Sequence, residues 1–200
     1  MLGTQPFSKN LITISGDIGS GKSAVGKAVA AVLGFDYMSS GAIQREEAAA
    51  RNMSILQLNQ FAETHPEIDY AIDERIAQLG RTKDKLLIDS RMAWHFVPHS
   101  FKVFLVTEPA IAAQRIMAAL RNNESYQDLA QAMQEIQARR ASESKRFMQF
   151  YGVDLTDQSQ FDLVINTSHV SIQAEVKVLT DCFQAWQKTE PFEKRWFFTK

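Results

Sequence analysis

The stretch Leu11-Ile12-Thr13-Ile14-Ser15-Gly16-Asp17-Ile18-Gly19-Ser20-Gly21-Lys22-Ser23-Ala24 decides how the rest of the chain is read. Its opening residues form an apolar run, the pattern of a strand buried on both faces of a parallel sheet. Behind it, Val25, Ala28, Val29, Val32 and Leu33 fall at helical spacing. Strand, glycine-rich turn, lysine, hydroxyl and helix, in that order, are the context of a phosphate-binding P-loop. Gly16, Gly19 and Gly21 let the backbone turn its N–H groups inward around a polyphosphate, and the positive end of the following helix points at the same place. Lys22 adds a catalytic charge for the β- and γ-phosphates, and the Ser23 hydroxyl suits the Mg²⁺ that accompanies a nucleotide. Residues Gly16 to Ala24 are therefore the expected seat of a nucleoside triphosphate. A loop that only turned a strand into a helix would not need this set of residues at this spacing.

At 200 residues the chain suits one α/β domain with a sizeable core. A net charge of −1 gives no global electrostatic case for a nucleic acid polymer or an anionic membrane. No apolar run approaches bilayer-spanning length and residues 1–10 lack a signal-peptide core, so a cytoplasmic location is expected. The lone cysteine, Cys182, sits in an apolar helical pattern and reads as a core residue. His65, His95, His99 and His169 have no metal-ligand spacing.

Working outward from the P-loop, residues 35–38 read as a second, short strand. Residues 39–81 read as a helical insertion, with Ser54 as one cap and Pro66 opening another helix. Leu86-Leu87-Ile88 is the next strand, ending at Asp89-Ser90-Arg91, and two more follow at 102–106 and 161–165. Between these last two lie a helix over 108–121, a break at 121–124, and a long polar helix from Ser125 to about Phe150. Residues 1–9 read as a loose tail, 171–187 as a final amphipathic helix, and 188–200 as a docked or frayed terminus. The expected fold is a single three-layer α/β domain, five parallel strands with helices on both faces, and the P-loop at the carboxyl end of the central strand.

A second group of residues offers what an acceptor of phosphate would need. Asp89 ends a buried strand, where a carboxylate can hold Mg²⁺ through water, and Arg91 shares its rim. Arg139 and Arg146 are two helical turns apart and share a face; Glu143 lies within reach of both, so a solvated salt-bridged face competes with phosphoryl stabilisation. Arg115 could stack on a base. Trp94, Phe96 and Phe101 read as core.

These residues carry a family resemblance. The P-loop, Ser39-Ser40-Gly41-Ala42-Ile43-Gln44-Arg45, Pro66-Glu67-Ile68-Asp69, Asp89-Ser90-Arg91, the run Arg139 to Arg146, Tyr151-Gly152-Val153-Asp154 and Phe161 to Ser168 together resemble the short, archaeal-type cytidylate kinases. The position after Asp89 is usually glycine in that family and is Ser90 here. The resemblance implies sheet order 2-3-1-4-5, a monophosphate-binding insertion at 39–81, a lid at 121–153, and a monomer. It implies phosphoryl transfer from ATP, with Mg²⁺, to a nucleoside monophosphate, CMP or dCMP. Ser40 and Arg45 would touch the monophosphate or its ribose and Arg91 would bind the acceptor phosphate. Arg139 and Arg146 would close onto the transferring group as catalytic residues, and Arg115 would lie against adenine. A P-loop kinase for another small acceptor (AMP, UMP, dephospho-coenzyme A or a shikimate-like metabolite) and a non-catalytic nucleotide switch are the competing readings.

Overall fold

The structure is a computed structural model that describes residues 9–119, 126 and 128–197. The tail expected at 1–9 (but for Lys9), the break at 121–124, Ser125 and the last residues, 198–200, lie outside the described residues. The elements in chain order are β1 (Leu11–Gly16), α1 (Lys22–Leu33), β2 (Asp36–Ser39), α2 (Ser40–Ala50), α3 (Ile55–Ala62), α4 (Glu67–Thr82), β3 (Leu86–Asp89), α5 (Ala93–Phe96), β4 (Phe101–Val106), α6 (Pro109–Ala118), α7 (Leu129–Tyr151), β5 (Leu163–Asn166), α8 (Ile172–Lys188) and β6 (Arg195–Phe197).

The sheet is parallel throughout, in the order β2-β3-β1-β4-β5-β6. Alternation along the strands divides the core. Ile12, Ile14, Leu87, Val103, Leu105, Leu163 and Ile165 face α1 and α8, meeting Val25, Val29, Leu179 and Phe183. On the opposite face, Leu11, Leu86 and Ile88 meet Ile72 and Ile76 of α4, while Phe104 and Val164 meet Phe147 of α7. Helices α2 and α3 carry a small cluster of their own around Ala48, Ile55, Leu58 and Ala62, joined by Ile68 of α4. The insertion is thus half anchored: the middle of α4 belongs to the sheet, and α2 and α3 pack on each other.

The sheet has six strands where the sequence predicts five. Residues 195–197, expected as part of a docked or frayed terminus, pair in parallel with β5, and the Val164 N–H donates to the Lys194 carbonyl at 2.9 Å. Phe192 and Trp196 pack against the core cluster under α8, and Arg195 donates to the carbonyls of Phe161 and Gln158. The strand is short and half-buried, which leaves it no apolar run to announce it, but it covers an edge that β5 would otherwise expose. Helix α7 begins at Leu129, after Asp128, whose carboxylate accepts from the Gln131 N–H at 2.8 Å. Asp128 is its cap. Trp94 and Phe101 are buried as expected, Trp94 on the short helix α5 that the sequence does not foretell. Among the described residues no helix is long and apolar enough to cross a membrane.

Candidate active site

The carboxyl end of β1 opens into the P-loop because the chain there is held from behind. At Gly16 φ is +135°, and a Cβ would collide with the Leu105 carbonyl of β4, which instead accepts from the Asp17 N–H at 2.9 Å. Gly19, at φ +78°, passes so close to α6 that a Cβ would sit 2.8 Å from Ala112. Only glycine allows both the dihedral and the approach. Lys22 turns back over the loop and donates to the carbonyls of Gly16 (3.0 Å) and Asp17 (2.6 Å). Burial, then the nearby Arg91 charge, lowers its ammonium to about 8. A polyanion would replace those carbonyls and raise it again.

Beside the lysine, Asp89 at the end of β3 is a hub. One carboxylate oxygen accepts from Ser23 Oγ (2.7 Å), Tyr37 OH (2.8 Å) and Ser39 Oγ (3.4 Å). Burial and the Asp89 charge push the Tyr37 phenol up to about 12, so it stays a donor. Ser23 and Asp89 are the pair the sequence singles out for Mg²⁺. Two protein oxygens next to a phosphate cradle match the sparse protein ligation that Mg²⁺ uses with a nucleotide. No cluster of three or more His, Cys, Asp or Glu that could cage a metal is found among the described residues.

From this hub a cavity of about 360 Å³ extends to both sides of β1. Toward β2 and β3 it is walled by Ser40, Arg45 and Arg91, and toward β4 and β5 by Arg115, Ile116, Ile172 and Glu175. Ile18, Gly19, Ser20, Gly21, Lys22, Ser23, Ala24 and Arg139 also line it, so most of the expected site residues do meet. Gly16 and Asp17 stand behind it. One Asp17 oxygen accepts from the Thr107 N–H (3.0 Å) and the other pairs with Arg140 of α7 (3.0 Å), linking the loop to the long helix.

The arginines differ from the expected picture in one respect. Arg139 reaches the cavity wall, but Arg146 does not. It is 1% exposed and turned toward the insertion, donating to Asp69 (2.8 Å) and to the carbonyl (2.7 Å) and side-chain oxygen (3.1 Å) of Asn59. Arg91 is ion-paired with Glu143. The acids that answer these two arginines therefore come from other elements, not from turns of the same helix, so the solvated helical face is not formed. Asn59 and Asp69 lie on helices of the insertion, α3 and α4, and nothing in their local spacing pairs them with an arginine of α7.

Under Arg91 lies a recess of about 10 Å³ walled by Gln44, Asp69, Ile72, Asp73, Met92 and Phe147 among others. The buried Gln44 Oε1 has no hydrogen-bond partner there. Asp73 accepts from Tyr151 OH at 2.7 Å, and burial pushes its carboxyl up to about 7. At the far end of the cavity, Arg115 donates to the hydroxyl (3.1 Å) and the carbonyl (2.5 Å) of Thr167, whose hydroxyl also lies 2.9 Å from the Ser20 carbonyl. Glu175, one turn into α8, is 2% exposed, and burial pushes its carboxyl up to about 7 against the pull of Arg115. The sequence carries one signal for it: Glu175 falls on the Leu179 and Cys182 stripe of α8, an acid on an apolar face.

A polyphosphate cradle facing arginines across a cleft, at the strand ends of a parallel sheet, places the chain in the class of P-loop phosphotransferases. Its fold agrees with that of the shikimate kinase from Bacteroides thetaiotaomicron, with a TM-score of 0.59 over 87% of this chain and 98% of that one; at 12% identity the likeness concerns the fold alone. The chain belongs to the cytidylate kinase-like family, whose sequence profile matches residues 11–169. Its relatives include a cytidylate kinase from Thermoplasma volcanium, 37% identical over 169 residues (84% of this chain, 87% of that one). Another is a cytidylate kinase from Saccharolobus islandicus, 36% identical over 188 residues (92% of this chain, 97% of that one).

Proposed function

We propose that the chain transfers the γ-phosphoryl group of ATP to CMP, giving ADP and CDP. The observation that carries the choice of acceptor is the recess under Arg91. It offers hydrogen-bond acceptors, Gln44 Oε1 and the carboxyls of Asp69 and, once its proton is lost above about pH 7, Asp73, between apolar walls. The exocyclic amine of cytosine donates two hydrogen bonds, whereas uracil places a carbonyl oxygen at the same position and leaves those acceptors facing lone pairs. A recess this small holds no pyrimidine as it stands, so acceptor binding requires α2 and α3 to swing on the anchored α4.

The triphosphate lies along Gly19 to Ser23, with Lys22 exchanging loop carbonyls for phosphate oxygens. Mg²⁺ held by Ser23 and Asp89 would supply charge neutralisation for the phosphates. Arg91 gives up Glu143 for the acceptor phosphate, aided by Ser40 and Arg45. The attacking phosphate oxygen is already anionic near neutral pH, so no protein base is needed, and the γ-phosphoryl passes in line from the β-phosphate oxygen to it. Arg139 meets the charge on the transferring group. Arg146 is assigned a positioning role, holding α3 and α4 against α7. Closure of the insertion and α7 over the cavity excludes water from the transfer.

The experiment is ADP release with ATP and Mg²⁺ while each nucleoside monophosphate is added separately. CMP or dCMP is expected to stimulate turnover far more than UMP or AMP, and Asp73→Asn, which presents an amide N–H to the base, to shift the preference toward UMP. Equal stimulation by CMP and UMP in the unaltered protein would refute the acceptor assignment; ATP binding without stimulation by any monophosphate would refute the reaction.

A further inference from the structure

We propose that Glu175 reads the base of the donor, selecting adenine over guanine by accepting a hydrogen bond from the exocyclic amine. The inference rests on the reading of the cavity as a nucleoside triphosphate site, and it concerns the end that the phosphates do not use.

The sheet order decides which end holds the donor base. β1 carries the phosphate cradle in the middle of the sheet. The acceptor-binding arginines Arg45 and Arg91 lie on the β2–β3 side, so the donor nucleoside must leave the cradle toward β4 and β5. There the cavity is walled by Arg115 and Ile116 of α6 and by Ile172 and Glu175 of α8. Two N–H groups of Arg115 are spent on Thr167, which fixes the plane of its guanidinium. Ile172 is 46% exposed on the cavity wall, and a planar base laid there would cover it. Ile172 and Glu175 are three residues apart on α8 and share a face, so a ring against the isoleucine has its edge within reach of the carboxyl.

Glu175 itself needs an explanation. It accepts no hydrogen bond from the described residues, yet it is 2% exposed at the cavity wall. A glutamate that only complemented the helix dipole would do so equally well in solvent, and burying a carboxyl without a hydrogen bond costs stability. A ligand donor removes that cost. Adenine offers an amine at the edge where guanine offers a carbonyl oxygen, which would set lone pair against lone pair. With the ring seated so that its 6-substituent meets the carboxyl, the site rejects the analogue that presents a carbonyl oxygen there.

The test is a comparison of ATP, GTP and dATP with the whole chain and its Glu175→Gln and Glu175→Ala variants. Equilibrium binding is measured without acceptor, and kcat/KM with CMP and Mg²⁺. The unaltered protein is expected to favour ATP over GTP by about tenfold or more, the scale of one base-edge hydrogen bond to a buried charged group. Glu175→Gln, whose amide can donate to the guanine carbonyl, is expected to bring the two within about threefold, largely by gain toward GTP. An ATP-to-GTP ratio unchanged in Glu175→Gln overturns the proposal. So does a loss that falls equally on ATP and GTP but spares dATP, which would put the carboxyl on the ribose. If Glu175→Ala fails to fold, the near-isosteric glutamine variant decides alone. Absence of CMP-dependent turnover in the unaltered protein would refute the phosphotransferase reading, while the binding ratios would still judge Glu175.

Discussion

Replacing Arg146 with alanine is expected to loosen the junction between α7 and the insertion before it affects the chemistry. Its guanidinium is buried and satisfied by Asp69, the Asn59 backbone and side chain, and Ser142. Removing one partner of a buried ion pair costs ~3–5 kcal/mol because the other charge is left without compensation. Burial already raises the Asp69 carboxyl above its usual range even with Arg146 present. Without the arginine it would take up a proton, which places the cost at the lower end, about 3 kcal/mol. In a chain of this size that is a fall of roughly 6–12 °C in unfolding temperature, read by thermal or urea unfolding without nucleotide. Adding Asp69→Asn removes the acid that must otherwise be protonated and should recover part of the loss. Arg139→Ala, at the cavity wall, should fall chiefly on kcat. Should Arg146→Ala unfold within about 2 °C of the unaltered protein while losing as much kcat as Arg139→Ala, the positioning role is wrong and Arg146 acts on the transferring phosphoryl.

Two further outcomes follow from particular contacts. Asp73 rises from 3.8 to about 7 on folding, so the folded state holds a proton that the unfolded state has lost. Stability should therefore decline as pH rises from about 4 to about 7 and level off above. Glu175, also raised to about 7, shares the window; Asp73→Asn keeps an acceptor for Tyr151 and should flatten the profile without abolishing its slope, and an unchanged slope in urea titrations would show that Asp73 is ionised when folded. Ending the chain at residue 190 removes β6 with Phe192 and Trp196. Two partly buried aromatic side chains suggest a loss of about 3 kcal/mol. No β6 residue lines the cavity, so turnover at low temperature should persist; a truncated chain as stable as the full one would mean the strand contributes nothing.

How far the sequence could be read depended on whether the signal was local. The P-loop is legible because a backbone cradle, a helix N-terminus and two side chains must sit within a few residues of one another, and such geometry leaves a fixed spacing. The strands at β1, β3 and β4 are legible because burial on both faces leaves apolar runs. β6 is not, since the three residues Arg195, Trp196 and Phe197 are too few to leave a period; its place comes from a free edge on β5. The caps show the same division. Ser54 with Gln57 is a local capping box and is found where expected, whereas the start of α7 is set by one Asp128 side chain among several polar candidates.

The arginines were visible as a group but not as individuals. Arg139 and Arg146 share one helical face, and nothing along the helix distinguishes the one that reaches the cavity from the one that is locked to Asp69. That distinction belongs to α3 and α4, which arrive from more than seventy residues away. Glu143 is likewise taken by Arg91 from across the cleft rather than by its helical neighbours. The sequence by itself determined the phosphate cradle, the parallel α/β architecture and the pool of charged residues, because each is written in spacing along one segment. Only the tertiary structure decided which charges face the cavity, which are buried as struts, and which carboxyls sit at the two ends where bases would bind. Pairing energy in a low-dielectric interior depends on what the rest of the chain brings alongside, and no single segment contains that information.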